Sequence, residues 1–531
     1  MLTYGNPVSE RRYQVMNYRN PIIPGFYSDP SLCRVGDDFY LVTSSFEFFP
    51  GVPLFHSRDL VNWEQLGHVL DRQSQLPIGE CGTSGGVFAP TIREHNGRFY
   101  MITTSVGGSR QRPLDNFLVW TDDINGPWSE PIHIDHMGID PSLFWDTDGR
   151  AYYTGTHTDS EGRSCIGQFE IDLSTGAKLS ETKIIWYGTG GRCPEGPHMY
   201  YIDGKYYLMI AEGGTEYGHM VTLAKGDSVW GPFVSCPHNP ILSHRDVVDG
   251  FGQEGGPGSF QALGHGDLTC DSSGQWWMVF HGIRPTQGQL HHIGRETMLA
   301  PVGWNGEGWP VVNGGKPITA AMPLPGRPGE GFAEQRSFDL FADFTKGGPL
   351  SPRWVYLRNP HEENYRFDGG LALTAGEKSL DDLGSPTFTG LRQQHLFMAA
   401  TTRMDCTPSE KQQAGLTVFH TNEQHYDLAV TRREGRRCAV LRRRVGDMAV
   451  ESAPVFLGED GPVFLEVESD KLEYRFFAEG AGARTLVGVG RTQLLSTECT
   501  RGTFTGCFVG LFCQGEGRAR FEEFQYRQLP R

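Results

Sequence analysis

Three carboxylates stand beside prolines in this chain: Asp29 before Pro30, Asp140 before Pro141, and Glu195 two residues before Pro197. Taken singly, an Asp-Pro or a Glu-Gly-Pro is ordinarily a turn cap. Brought together in one pocket, three carboxylates suit general acid–base chemistry, because one can take a proton from water while another donates one to a leaving group. The question is therefore what fold would bring residues so distant in sequence to one place.

A repeat answers it. Gly25-Phe26-Tyr27-Ser28-Asp29-Pro30-Ser31 is followed by a short strand, the Gly36-Asp37 turn and the aromatic pair Phe39-Tyr40. The pattern returns four times: Ala89-Pro90 through Asn96-Gly97 to Phe99-Tyr100, Asp140-Pro141 through Asp148-Gly149 to Tyr152-Tyr153, Gly196-Pro197 through Asp203-Gly204 to Tyr206-Tyr207, and Gly266-Asp267 through Ser273-Gly274 to Trp276-Trp277. Asn-Gly and Asp-Gly supply the positive φ angles of tight hairpins, and the flanking aromatic and β-branched residues suit half-buried strands. A recurrence of about 50–70 residues is the range of propeller blades. Five copies predict five blades, each opening its innermost strand near a common axis. Aligned on Pro30, Pro90, Pro141, Pro197 and Asp267, the converging positions read Ser28-Asp29, Phe88-Ala89, Ile139-Asp140, Glu195-Gly196 and His265-Gly266. Three carboxylates, an aromatic ring and a histidine are the constellation of a carbohydrate hydrolase.

Composition narrows the alternatives. With 531 residues the chain exceeds one core and predicts at least two domains. Abundant Gly and Pro, a 12% aromatic content and scarce helix-period stretches predict an all-β protein. A net charge of −16 opposes binding to nucleic acid or anionic membranes, which relies on concentrated Lys and Arg. The one basic run, Arg432-Arg433-Glu434-Gly435-Arg436-Arg437 with Arg442-Arg443-Arg444, reads as a hairpin with a solvated arginine face. Eleven cysteines, an odd number with no C-x-x-C pair, suggest reduced thiols. Met1 to Tyr18 has no apolar core of signal-peptide length and no later run could span a membrane, so a cytoplasmic address is expected.

Along the chain, residues 1–18 read as a polar lead-in and 19–325 as the propeller. Residues 326–336, within the Pro/Gly-rich stretch from Pro323, read as a linker, and 337–531 as a second β domain whose alternating segments predict a sandwich. Phe46 and Phe48 in the first blade are candidate sugar-facing rings, with core packing the alternative for either. The Gly-rich stretch Gly250–Gly258 lacks the Lys-Ser/Thr and strand–loop–helix setting of a phosphate loop, and reads as blade closure or a loop over the pocket.

Gly-Phe-Tyr-Ser-Asp-Pro-Ser, Phe-Glu-Phe-Phe-Pro-Gly-Val, Gly-Ile-Asp-Pro-Ser, Glu-Gly-Pro-His, Glu-Gly-Gly-Thr-Glu-Tyr-Gly-His, Gly-His-Gly-Asp and Gly-Arg-Glu-Thr together resemble glycoside hydrolase family 43. The similarity runs from about Asn20 to Arg527, and is nearest to the β-xylosidase and α-L-arabinofuranosidase group with a C-terminal concanavalin-like β-sandwich. The resemblance implies a five-bladed propeller and single-displacement hydrolysis with inversion. It implies Asp29 as general base, Glu195 as general acid, and Asp140 as the residue that tunes the acid and orients substrate. It makes His265 a ligand of water or a metal ion near the axis, and Arg295 a substrate contact. Phe88 stands where many relatives have tryptophan, and the Phe504–Phe508 segment resembles a loop that closes the site, with Phe508 among the substrate-facing rings.

On this reading Glu195 must keep its proton near neutral pH while Asp29 stays ionised. An anionic Asp140 would raise Glu195 by like-charge repulsion, and Arg295 would keep Asp29 or Asp140 charged. The expected activity is release of xylose from non-reducing ends of short β-1,4-xylo-oligosaccharides. The alternatives are an α-L-arabinofuranosidase or bifunctional enzyme and, more remotely, a silent sugar-binding propeller; a fructoside hydrolase is opposed by the absence of a Trp-Met-Asn-Asp-Pro-Asn start. No cofactor is expected for catalysis. Ca²⁺ is a candidate near the axis at His265, or in the sandwich at Asp343 and Glu522-Glu523, with solvated carboxylates the alternative. The expected partner is a small oligosaccharide, with a homo-oligomer as a further candidate.

Overall fold

A computed structural model describes residues 15–248, 257–286, 288–329, 331–499 and 503–530. Most of Gly250–Gly258 and the first fourteen residues of the lead-in lie outside them. The chain is all-β, a five-bladed propeller followed by a concanavalin-like sandwich.

Each blade is a contiguous antiparallel meander. Blade one uses Ser31–Val35, Asp38–Val42, Gly51–Ser57 and Glu64–Leu70. The innermost strands of the others are Thr91–His95, Ser142–Trp145, Glu195–Ile202 and Gln261–Cys270. The first hairpins of blades two and four turn on Asn96-Gly97 and Asp203-Gly204, with positive φ at both residues of each pair, as a two-residue type I′ turn requires. The turns at Gly149 and Gly274 are longer: Asp146 N–H bonds to Arg150 O and Asp271 N–H to Gln275 O, leaving one glycine of each turn in the left-handed region.

The residues at the blade entrances share an unusual backbone. Asp29, Asp140 and Gly196 each have φ 55°, and His265 has φ 50°. His265, not Gly266, therefore occupies the position of the two aspartates, and Gly266 stands where the other blades have proline. The alignment on Asp267 is one residue out. The next position brings Ser31, Ser142, His198 and Asp267 into a polar layer beneath, where Ser31 Oγ donates to Asp267 Oδ2 at 2.8 Å and Ser142 Oγ meets His198 Nδ1 at 3.1 Å. Arg93 closes this layer with hydrogen bonds to both carboxylate oxygens of Asp267, at 2.8 and 3.2 Å.

The domain boundaries are less separable than composition implies. Val15–Arg19 pairs with Ala321–Pro328, so the end of the lead-in and the start of the linker form one two-stranded sheet. More consequentially, Phe48–Phe49 of blade one pairs with Val355–Leu357 and becomes the edge of the larger sandwich sheet. Phe48 stacks on Phe508 with centroids 3.8 Å apart, and both rings are fully buried. They belong to the core between the domains and present no surface to a sugar, which corrects the expectation for both.

The basic run also differs from a solvated face. Arg437 is buried, with its guanidinium bonded to the carbonyls of Cys406, Gly458, Asp460 and Gly461. Arg442 pairs with Asp381 and Asp427. The acidic residues considered for Ca²⁺ are likewise paired, Asp343 with Lys346 and Glu522 with Arg403.

A second tie across the domains is Arg358, fully buried with φ 60°. Its guanidinium reaches Cys81 O at 2.7 Å, Gly384 O at 2.9 Å and Asn422 Oδ1 at 3.2 Å, and its amide donates to Glu47 O at 2.7 Å. Burial pushes the Glu47 carboxyl up to about 7, and the Arg358 charge restrains that rise. Arg358→Met would orphan three acceptors and leave Glu47 buried without this cation. Removing one member of such a cluster costs roughly 3 kcal/mol. The expected result in calorimetry is a Tm lowered by several degrees; an unchanged Tm would show that the junction does not depend on this side chain.

Candidate active site

Asp29 is held from three sides. Arg295 Nη1 donates to its Oδ1 at 2.8 Å and Nη2 lies 3.4 Å from Oδ2. Ser28 Oγ and Ser44 Oγ donate to Oδ2 at 2.8 and 2.6 Å. His281 Nδ1 stands 3.1 Å from Oδ1 and His265 Nδ1 3.6 Å from it. Burial alone would raise this carboxyl; Arg295, His281 and His265 overcome it and hold Asp29 well below the usual carboxylate range. The backbone is fixed as firmly: Tyr27 N–H bonds to Arg295 O, Thr297 Oγ1 donates to Tyr27 O, and Gly25 N–H donates to Glu296, itself clamped by Arg284.

Asp140 and Glu195 experience the opposite field. Burial and the charges of Glu195 and Asp29 push Asp140 well above its ordinary value, although Gly196 N–H donates to its Oδ2 at 3.2 Å. Burial and Asp29 push Glu195 up to about 7, with Arg295 and Arg192 pulling the other way. Two carboxyls that repel across a buried site give up their protons in separate steps, so one proton stays on the pair through the neutral range. The simple picture of a permanently anionic Asp140 thus becomes a pair that shares a proton. The Gly196 bond favours the anion at Asp140, while burial and the charges of Glu195 and Asp29 favour its acid form.

The backbone at blade four explains how Glu195 enters. Gly196 takes the left-handed position that Asp29 and Asp140 occupy in their blades, and a Cβ there would lie 2.8 Å from the His265 ring. With glycine at that point, the carboxylate comes from the preceding residue, at the edge of the pocket rather than its floor.

An aromatic corner faces Arg295. Phe46 packs with Phe88 at 5.1 Å and with Phe504 at 5.6 Å, and Arg295 lies 5.8 and 5.7 Å from the Phe46 and Phe504 ring centres. Phe504 comes from the sandwich. Its amide donates to Ser84 Oγ at 2.9 Å and its carbonyl faces Arg295 Nη2 at 3.5 Å. Gly506 lets this segment press on blade five, since a Cβ there would lie 1.9 Å from Ile293 O. From the predicted Phe504–Phe508 segment it is therefore Phe504, not Phe508, that reaches the site. A cavity of about 200 Å³ opens beside Arg295, lined by Thr215, Glu216, His291, Glu498 and Phe504 among others. A larger groove of about 570 Å³ between blades two and three lies away from these carboxylates, and its Trp120 and Trp145 rings are already covered by Arg98 and His95.

Among the described residues no group of three or more His, Cys, Asp or Glu side chains forms a metal-ligand set. A cation at His265 would take most of its shell from water.

Ser44 and His281 were not singled out by sequence. Each lies four residues after the second aromatic of its hairpin, Tyr40 in blade one and Trp277 in blade five. The same repeat that locates Asp29 would have located both.

Comparison with known proteins decides the family. Residues 18–310 match the family model of glycosyl hydrolases family 43, and residues 342–527 match the β-xylosidase C-terminal concanavalin A-like domain. The chain belongs to glycosyl hydrolases family 43. It is 38% identical over 522 residues to the non-reducing end α-L-arabinofuranosidase BoGH43B of Bacteroides ovatus, covering 96% of this chain and 95% of that protein. It is 33% identical to a β-xylosidase of Bacillus subtilis, covering 97% and 100%. The solved structure of a xylan β-1,4-xylosidase from Bacillus halodurans superposes with a TM-score of 0.88 at 32% identity, covering 96% and 100%. This family 43 protein is an inverting glycoside hydrolase of the xylosidase/arabinofuranosidase group, and family 43 catalysis requires no cofactor.

Proposed function

We propose that the enzyme removes single xylose units from the non-reducing ends of short β-1,4-xylo-oligosaccharides. The observation that carries this reading is the aromatic corner beside Arg295. Phe504 from the sandwich caps the corner made by Phe46 and Phe88 beside Arg295, which suits one terminal sugar and not a chain passing through.

In this mechanism Asp29 is the base. Its carboxylate, kept ionised by Arg295, takes a proton from water on one face of the sugar. Glu195 is the acid, protonating the departing glycosidic oxygen on the other. Inversion requires the two groups to be roughly 6.5–9.5 Å apart, with room for the water. Asp140 orients substrate and keeps the proton on Glu195 by repulsion. Phe88 and Phe504, both partly exposed, pack on the C–H face of the sugar with the buried Phe46 behind them, and His265 steadies the base. The eleven free thiols support a cytosolic setting in which imported oligosaccharides, not polymer, are the substrate.

Reducing-end-labelled xylotetraose tests the exo reading. Free xylose and labelled xylotriose should be the first products; labelled xylose or xylobiose appearing first would contradict it. Removal of arabinose from side chains is the second reading, favoured by the 38% identity to a protein named α-L-arabinofuranosidase.

The pH profile tests the tuning role. Activity should fall on the basic side as Glu195 loses its proton, near its raised value of about 7, and on the acid side only where Asp29, held well below the usual range, gains one. Asp140→Asn removes the repelling carboxylate, so Glu195 should lose its proton more easily and the basic limb should move to lower pH. An unmoved limb would show that Asp140 does not tune the acid.

A further inference from the structure

Beneath the approach to Glu195 lies a carboxylate with no part in the mechanism above. Glu212 is fully buried at the end of the strand Lys205–Glu212, which pairs with the strand that Glu195 begins; Glu195 lies opposite Ala211. Its carboxylate accepts from Thr189 N–H at 3.0 Å to both oxygens, from Thr189 Oγ1 at 3.0 Å, from Gly191 N–H at 2.9 Å and from Thr222 Oγ1 at 2.5 Å. The donors are two backbone amides and two hydroxyls, so charge pairing is not what this side chain supplies. The fit is close: a Cβ on Gly188 would lie 2.5 Å from Oε1, and one on Gly191 3.0 Å. Gly188 to Gly191 arches over the carboxylate, and Gly213 N–H bonds to Arg192 O at 2.7 Å. The arch leads without interruption into Arg192-Cys193-Pro194-Glu195.

Backbone groups that point inward to a buried acceptor fix a loop as strongly as a strand pairing does, because leaving any of them unmade exposes a desolvated donor. Thr189, Gly190, Arg192 and Cys193 are exposed and supply little packing of their own. The arch therefore takes its shape from Glu212.

We propose that Glu212 is a positioning residue for the proton donor: it sets the arch 188–194 and thereby the place from which Glu195 reaches the leaving oxygen. The inference rests on the assignment of Glu195 as general acid. Glu212 acts by geometry, so its loss should change how well the proton is delivered without moving the pH at which Glu195 titrates.

The test is the dependence on leaving group. A substrate that needs protonation, xylobiose, is compared with 2,4-dinitrophenyl β-D-xyloside, which departs without it, on wild type, Glu195→Gln, Glu212→Gln and Thr189→Val. In Glu212→Gln an amide N–H₂ faces donors where an oxygen accepted them. We expect kcat/KM on xylobiose to fall about 10²-fold, the scale of an approximately 1 Å misplacement. The dinitrophenyl substrate should fall by less than about 3-fold, and the basic limb should stay in place. Thr189→Val, which loses one hydroxyl, should show the same selectivity with a smaller drop, and it decides the matter if Glu212→Gln does not fold. Selective loss in Glu195→Gln with a uniform loss, or none, in the folded Glu212 and Thr189 variants would overturn the positioning role. A Glu195→Gln variant without leaving-group selectivity would instead overturn the acid assignment and the inference with it.

Discussion

Asp29→Asn is expected to lower kcat by a factor of roughly 10³ or more, on xylobiose and on activated aryl glycosides alike. The base acts on the attacking water, so the quality of the leaving group gives no relief. The variant should still fold. Asparagine keeps the shape of the side chain, and the left-handed backbone at residue 29 is one that asparagine tolerates well. The bonds that define the turn do not involve the substituted group: Asp29 N–H to His281 Nδ1, Tyr27 N–H to Arg295 O, and Thr297 Oγ1 to Tyr27 O. The acid limb of the pH profile should disappear with the carboxylate. Near-wild-type turnover by a folded Asp29→Asn protein, with folding checked by circular dichroism and Tm, would remove Asp29 from the role of base.

Glu195→Gln should produce a loss of similar size, on the scale expected when a general acid is removed, but only where the acid is needed. On xylobiose kcat should fall by about 10³ or more. On a dinitrophenyl xyloside most of the activity should remain, because that phenolate leaves unprotonated. The basic limb, set in the wild type by the proton that burial and Asp29 keep on Glu195 near neutral pH, should vanish on xylobiose. Equal losses on the two substrates would mean that Glu195 holds the sugar and does not protonate it.

The contrast between these two carboxylates explains why the site was legible in the sequence. Asp29, Asp140 and Glu195 are placed by a local signal, a turn with a proline that recurs with each blade. Its geometry, φ near 55° before the innermost strand, is a property of a few adjacent residues. Arg295 was found through its resemblance to known family motifs, and the structure joins it to Asp29. His281 and Ser44 carry the same repeat signal one strand later, and were reachable by extending the alignment past the aromatic pair.

What the sequence did not disclose is long-range. Phe48–Phe49 forms only two residues of strand, and its partner Val355–Leu357 lies some three hundred residues on; so short a segment has no period to read. The aromatic run from Phe46 to Phe49 looked like one sugar-facing surface. In the fold it divides, Phe46 turning toward Arg295 and Phe48 into the junction under Phe508. Arg358 and Gly506 were equally hidden, since their meaning is a contact with a surface contributed by the other domain. The extra residue ordering of blade five could not be seen either, because Gly266 in place of proline erased the mark on which the other blades were aligned.

The same junction brings the sandwich up against Arg295 and its aromatic neighbours. Phe504 and Gly506 bring the second domain to the rim of the pocket, and Arg358 and the Phe48–Phe508 stack hold it there. An enzyme so built keeps this aromatic corner only while the two domains stay joined.

The most direct test of the account is kcat/KM of the purified enzyme on 4-nitrophenyl β-D-xyloside and 4-nitrophenyl α-L-arabinofuranoside, measured side by side. The account predicts preference for the xyloside, with xylobiose cleaved to xylose and arabinoside turnover as a side reaction. Preference for the arabinofuranoside would contradict the substrate assignment, moving the enzyme to the side chains of arabinoxylan or arabinan with Asp29 and Glu195 unchanged in role.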